Sequence, residues 1–323
     1  MSGWALRVAV FVLLLLTPSA FATSFAVYYG NIGPSEFQEL SGFDIIVLAP
    51  TVNATYVSRL ARHHVVVGYL SLATIGGWEP WAKDVSRDIV IGENKEWGEK
   101  VVDFSSPKWR SIVLDEAIPY ILSRGFDGVF LDNVDYVDLY PEKKRAMVNL
   151  IKAIRERYPR MVIIVNRGFS IKDEVAPYVD YVLFEDFVTY YDFSTGKYKI
   201  FSESDLEWEF EQVKELQALH VPVLALSYAD LDNETQVKEF SGVICSYAEK
   251  YNVSGVYLAD VSLQKIGINP CVETEGQTEK GESSTVRFKT FNEKGKRKIC
   301  GPAFIVLMAL TFILPLRRFL LCR

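Results

Sequence analysis

The sequence predicts a single (β/α)8 barrel. Short apolar runs rich in β-branched residues recur along the chain, stretches with apolar residues at helical spacing separate them, and eight such runs fit a body of about 250 residues. The runs are continuous rather than alternating, as strands covered on both faces require. An open, doubly wound sheet is the alternative. It expects a glycine-rich phosphate turn after the first strand, which Tyr29-Gly-Asn-Ile-Gly33 matches weakly.

At the start, Arg7 precedes an apolar run over 8–16 and then Thr-Pro-Ser-Ala-Phe-Ala, the pattern of a signal peptide over residues 1–23. The body, 24–271, follows. Its strands are expected at 24–29, 43–49, 65–70, 128–132, 161–166, 181–185, 222–228 and 255–260. Helices are expected over 52–63, 108–123, 142–158, 205–219 and 233–251. Pro107 suits a first helical turn, Pro159 stops the third helix, and Ser204 is placed to cap the fourth. Residues 272–299 are polar and charged, a linker. Residues 300–323 carry Cys300-Gly-Pro-Ala303, an apolar run to Leu316, and Arg317-Arg318, the pattern of a membrane anchor whose positive residues hold its tail inside.

The net charge of −6 argues against a nucleic-acid partner. The four cysteines (Cys245, Cys271, Cys300 and Cys322) form no Cys-x-x-Cys pair. Cys245 and Cys271 lie in the body, and their spacing leaves open whether they bond. Asn-x-Ser/Thr sequons at Asn53, Asn233 and Asn252 agree with export. A monomer is expected.

In a barrel of this class chemistry sits at the C-terminal ends of the strands. The three histidines fall at the other end: His63 and His64 precede the third strand and His220 the seventh. There is no Gly-x-Ser-x-Gly elbow either. A histidine metal site and a Ser-His-Asp triad are therefore disfavoured, and no cofactor is called for. The C-terminal ends carry Tyr28 and Tyr29, Ser71, Asp132 and Asp135, Asn166, Glu185 and Asp186, Tyr228 and Asp230, and Asp260, with no cation at a strand end. Carboxylates at adjacent ends repel, and burial raises one above the other. One proton-holding and one ionised carboxyl is what cleavage of a glycosidic bond requires.

Asp132 ends the stretch Gly125-Phe-Asp-Gly-Val-Phe-Leu-Asp132 and is followed by Asn133-Val-Asp-Tyr136. It reads as a catalytic carboxylate or as an Asx turn and cap before the helix near Pro141. Trp78 and Trp81, in Gly76-Gly-Trp-Glu-Pro-Trp81, offer flat faces to sugar rings or pack beneath a long loop; Tyr190 and Tyr191 pose the same choice. Asp103 reads as a local hydrogen-bond anchor.

With these residues in view, the chain resembles the endo-α-1,4-polygalactosaminidase family, glycoside hydrolase family 114. The likeness spans about residues 25–265 and is carried by Gly125–Tyr136, by Gly68-Tyr-Leu-Ser71 with the Trp78 loop, and by the sixth strand ending in Glu185. It implies a (β/α)8 barrel, a catalytic pair at Asp132 and Glu185, and an α-1,4-linked galactosamine polymer as substrate. The sixth strand ends Phe184-Glu185-Asp186, where the family usually has Asn-Glu, and the loop after Ser71 also differs. Tyr28, Ser71, Trp78, Asp135, Asn166, Tyr228, Asp230 and Asp260 are expected to bind a polysaccharide or oligosaccharide or to tune the pair. The C-terminal segment resembles the Cys-Gly-Pro sorting signals of some archaeal surface proteins, which implies Cys300 as a lipid attachment site. Either reading of that segment leaves the body outside the cell and tethered. The competing functions are a glycan-binding surface protein without catalysis and a structural calcium site built from the carboxylate ring.

Overall fold

The computed structural model describes residues 23–272. The expected signal peptide, apart from Thr23, and the linker and anchor with Cys300, apart from Val272, lie outside the described residues.

In chain order the first elements are β1 (Phe25–Tyr28), α1 (Pro34–Leu40), β2 (Ile45–Leu48), α2 (Ala54–Leu60) and β3 (Val65–Ser71). Three short strands then leave the main sheet: β4 (Thr74–Ile75), β5 (Val90–Asn94) and β6 (Glu99–Val102). The expected helix over 108–123 is broken into α3 (Pro107–Ser111), a π-helical turn (Ile112–Ala117) and α4 (Ile118–Ser123). Pro119 accounts for the break, because it offers no N–H to a carbonyl four residues back and its ring crowds that carbonyl. The second half runs β7 (Gly128–Asp132), α5 (Tyr136–Leu139), α6 (Lys144–Arg157), β8 (Val162–Asn166), α7 (Lys172–Val175), β9 (Tyr181–Glu185), the hairpin β10 (Thr189–Asp192) and β11 (Lys197–Ile200), α8 (Glu203–Ala218), β12 (Val223–Tyr228), α9 (Glu234–Tyr251) and β13 (Gly255–Ala259).

Eight strands form one parallel sheet in the order β1-β2-β3-β7-β8-β9-β12-β13. These are the eight runs expected from the sequence. The sheet curls into a nearly closed barrel whose strands are buried on both faces. At the seam, Thr23 N–H donates to Ser254 O at 3.1 Å where β1 and β13 begin. Further along, the segment after β13 fills the gap. Tyr29 N–H donates to Leu263 O at 2.8 Å, and Leu258 and Ile268 exchange a pair of hydrogen bonds at 2.9 Å. A disulfide between Cys245 and Cys271 ties this segment to α9, settling what the spacing left open.

Glycines mark the closest strand approaches. A Cβ on Gly128 would sit 1.9 Å from Val162 O, across the β7–β8 ladder. One on Gly255 would sit 2.3 Å from Thr23 O, at the seam. The two small antiparallel sheets, β4-β6-β5 and β10-β11, were not expected. β5, β10 and β11 are mostly part-exposed, and β4 and the buried end of β6 are only two residues each, so neither the buried-strand nor the helical pattern marks them.

Gly128→Ala forces β7 and β8 apart and is expected to cost at least about 3 kcal/mol in chemical denaturation. Gly242→Ala, in α9 with nothing within 4 Å of the new methyl, is expected to gain about 0.5–1 kcal/mol. Equal effects of the two would contradict the close β7–β8 approach.

Candidate active site

Three neighbouring strands of the barrel, β7, β8 and β9, end in Asp132, Asn166 and Glu185. Each last residue is followed by one in the left-handed region: Asn133 at φ 58°, Arg167 at φ 54° and Asp186 at φ 60°. The conformation turns the chain sharply away from the ladder just after the functional side chain. Asn and Asp tolerate it, whereas Arg167 is the more strained, at about 1–3 kcal/mol.

The three side chains meet. Asn166 Nδ2 donates to Asp132 Oδ1 at 2.8 Å and to Glu185 Oε2 at 2.6 Å. Two acceptors on one side fix which way the amide points. Its Oδ1 is left buried without a partner. Each carboxylate also takes a phenol: Tyr69 OH donates to Asp132 Oδ2 at 2.9 Å, and Tyr228 OH to Glu185 Oε1 at 2.5 Å. Tyr29 packs edge-on against Tyr69, with ring centres 5.4 Å apart. Burial first, and the negative charge of the pair second, push the Tyr29, Tyr69 and Tyr228 phenols well up, so all three remain neutral.

The same causes act on the acids. Burial and then the neighbouring Glu185 charge push Asp132 up to about 7. Because one amide joins the two carboxyls, that proton belongs to the coupled pair. Asp186 is raised by burial and by Glu185, against the pull of Arg167, whose guanidinium lies 3.6 Å from it. Asp135 is raised by burial, again opposed by Arg167. Asp135 and Asp186 thus share one guanidinium, and the Glu185 charge bears on both as well as on Asp132.

The other expected residues fall in different places. Ser71 lies behind the pair: its hydroxyl meets Thr74 at 2.8 Å and accepts from Asn133 Nδ2 at 2.9 Å, holding the left-handed turn after β7. Tyr28 faces outward, its hydroxyl donating to Asn31 O at 2.7 Å, because successive strand residues alternate; Tyr29 turns to the mouth instead. Trp78 is 48% exposed, with its ring 6.2 Å from Tyr69. Trp81 is buried against Tyr120, so the two tryptophans divide between the alternatives. Glu79 holds their loop by accepting from Gly76 and Gly77 N–H at 3.0 and 2.9 Å. Asp230 and Asp260 organise local turns, accepting from Asp232 N–H at 3.1 Å and Ser262 N–H at 2.8 Å. Neither hydrogen-bonds to the pair, and Asp260 Oδ2 is buried without a partner. Asp103 anchors Ser105 and Lys143. Among the described residues, no group of three or more His, Cys, Asp and Glu is placed to hold a metal ion.

Sequence reasoning missed Tyr69, Arg167 and Glu209. Tyr69 sits inside an apolar run, and only the alternation from Ser71 could have placed it on the inner face. Arg167 follows the end of β8 and supplies the cation the strand ends lack. Glu209, buried mid-helix in α8, accepts the N–H of Val188 at 3.0 Å. Val188 is β-branched at φ 64°, a conformation that needs such support.

Two kinds of comparison bear on this geometry. The sequence model of glycoside-hydrolase family GH114 matches residues 18–275, most of the chain. The chain belongs to glycoside-hydrolase family GH114. The GH114 domain also superposes on the glycoside hydrolase domain of PelA from Pseudomonas aeruginosa. The TM-score is 0.65 at 23% identity, over 76% of this chain and 98% of that one. It superposes on Ega3 of Aspergillus fumigatus, solved in complex with galactosamine. Here the TM-score is 0.60 at 19% identity, over 77% of this chain and 96% of that one. At these identities the superpositions speak for the GH114 fold, a (β/α)8 barrel. No curated protein matches the chain in sequence.

The raised Asp132 has a consequence for stability. A carboxyl whose folded value is above its unfolded one stabilises the fold while protonated, fully below about pH 3.8, and loses that contribution as pH rises through about 7. Unfolding of wild type and Asp132→Asn across pH 4–8.5 is expected to show wild type losing ground by on the order of 1 kcal/mol or more up to about pH 7, then running parallel. Parallel curves throughout would mean that Asp132 is not raised.

Proposed function

We propose that the chain is a retaining glycoside hydrolase of an α-1,4-linked galactosamine-type polymer, with Asp132 and Glu185 as its catalytic pair. The observation that carries the reading is the single amide nitrogen shared by both carboxyls. Two oxygens held at 2.8 and 2.6 Å from one nitrogen cannot be farther apart than the sum of those lengths. That ceiling lies at the about 5–5.5 Å separation of retaining enzymes and below the about 6.5–9.5 Å at which an inverting pair holds its water, which supports retention.

Up to about pH 7 the pair holds one proton between two carboxyls. The carboxyl carrying it protonates the leaving glycosidic oxygen while the ionised one attacks the anomeric carbon, forming a glycosyl–enzyme bond. The first, now ionised, then takes a proton from water as that water displaces the enzyme carboxylate and restores the starting state. Tyr69, Tyr228 and Asn166 position the two groups. The unpartnered Oδ1 of Asn166 is an acceptor for a sugar hydroxyl or ammonium. Trp78 offers its exposed face to a sugar ring beside Asp132. The excess of carboxyls, Asp132, Asp135, Glu185 and Asp186 with Arg167 beside two of them, favours a sugar carrying an ammonium group, as galactosamine does, and Ega3 was solved with galactosamine. Tyr28 and Asp230 have no direct part in this scheme, while Asp260 keeps a buried, unpartnered Oδ2 as a further acceptor.

The leader pattern over 1–23 and the Cys245–Cys271 bond support an extracellular location. Cys300 and the apolar run after it support tethering at the cell surface, as an anchor or through a lipidated cysteine.

Asp132→Asn and Glu185→Gln are each expected to lower hydrolysis of α-1,4-linked polygalactosamine by about 10²–10⁴-fold or more, measured as reducing ends released. Both variants are expected to keep binding the polymer. Unchanged turnover in either would remove that residue from the mechanism, and binding without any turnover in wild type would favour a glycan-binding protein.

A further inference from the structure

We infer that the tips of two hairpins form a second aromatic subsite, which holds a glycan chain at a distance from the linkage being cut. The inference rests on the hydrolase reading above. Trp97 sits in the turn between β5 and β6, and Phe193 in the turn between β10 and β11. Their rings meet edge to face, with centres 5.7 Å apart, yet remain 58% and 51% exposed.

Topology places this contact. The β4–β6 excursion leaves the C-terminal end of β3, and β10–β11 leaves that of β9. In the barrel, β3 and β9 flank β7 and β8. The meeting of the two tips therefore spans the strand ends that carry Asp132 and Asn166. From Thr189 to Phe193 the strand runs about 13 Å away from Thr189, whose hydroxyl donates to Tyr228 O at the end of β12 at 2.9 Å.

Both tips are fixed rather than loose. Asp192 accepts from Ser194 N–H at 2.9 Å, Ser194 Oγ at 2.6 Å, Thr195 Oγ1 at 2.8 Å and Lys199 Nζ at 2.5 Å, which locks the turn that presents Phe193. Tyr191 packs on Phe193 and on Tyr198, with ring centres 5.0 and 4.9 Å away. On the other hairpin, Asn94 accepts from Glu96 N–H at 3.2 Å and donates to Tyr136 OH at 3.0 Å, next to Asp135. Two separate loops thus hold large apolar rings in water at one point over the mouth.

The occupant is a glycan rather than a protein. A buried aromatic side chain covers about 150–250 Å², so two half-exposed rings offer an area of that order, well short of the about 1,000 Å² of a stable protein interface. It suits the C–H face of one or two pyranose rings. The patch also lies on the same face as Trp78 and Tyr69, which lead to Asp132. A chain bound at both places must be longer than the unit at the carboxyl pair, so the hairpin rings add length selectivity to the same site.

The test uses Trp97→Ala and Phe193→Ala, assayed on α-1,4-linked polygalactosamine and on a p-nitrophenyl α-galactosaminide that reaches only the pair. The expected result is a fall of about tenfold or more in kcat/KM for the polymer, through KM, with the aryl glycoside unchanged within twofold. An equal fall on both substrates assigns the rings a structural role and overturns the inference; so does an unchanged polymer rate. Gel retardation by the same polymer separates this inference from the hydrolase reading. If wild type cleaves neither substrate but is retarded, and the alanine variants are not, the subsite stands and the hydrolase reading falls. No retardation of wild type at all, with no cleavage, overturns both.

Discussion

One amide nitrogen holds two carboxylates, and the rest of the site follows from that constraint. Asn166 Nδ2 can satisfy Asp132 and Glu185 together only if both side chains lean toward the strand between them. The lean brings two like charges close in an enclosed mouth. The cost is met by retaining one proton on the pair and by donors on the outer oxygens, Tyr69 on one side and Tyr228 on the other. The near symmetry of this arrangement, one phenol per acid and one amide shared, lets either carboxyl carry the proton as the reaction proceeds.

The barrel makes the clamp possible. Neighbouring strands lie about 4.8 Å apart, so β7 and β9 are held two strand spacings from each other with β8 between. A short Asp, a short Asn and a longer Glu then converge without moving the backbone. The close start of β7 against β8, at Gly128, holds the first two together. The left-handed residues that follow each strand release the chain before it can cover the mouth. The backbone strain, concentrated at Arg167 and again at Val188, is balanced by partners: Asp186 beside Arg167, and the buried Glu209 on the Val188 N–H. Strain of this kind beside converging carboxyls is a common mark of a functional site.

Much of this could be read from the chain alone, for identifiable reasons. The eight barrel strands are continuous β-branched runs, and a strand buried on both faces cannot be written otherwise. Asp132, Asn166 and Glu185 stand at the ends of such runs, where a polar residue needs a reason to be. The two small sheets were invisible because their strands are short and mostly part-exposed, and they carry Trp97 and Phe193, whose meeting depends on how separate loops fold back. Tyr28 and Tyr29 show the limit of position alone: one residue of register decides which faces the mouth. Asp230 follows a strand in the same way, yet its side chain closes a local turn. Arg167 and Glu209 act by proximity in space, and no spacing in the sequence marks them.

The stereochemistry of the first product tests the clamp most directly. Proton NMR during the opening minutes of polygalactosamine hydrolysis, before mutarotation, reads the configuration of each new reducing end. Carboxyls held on one amide nitrogen predict that the α-anomer appears first, from two displacements at the same carbon. The β-anomer appearing first would require a water between the carboxyls and would contradict the geometry at Asn166.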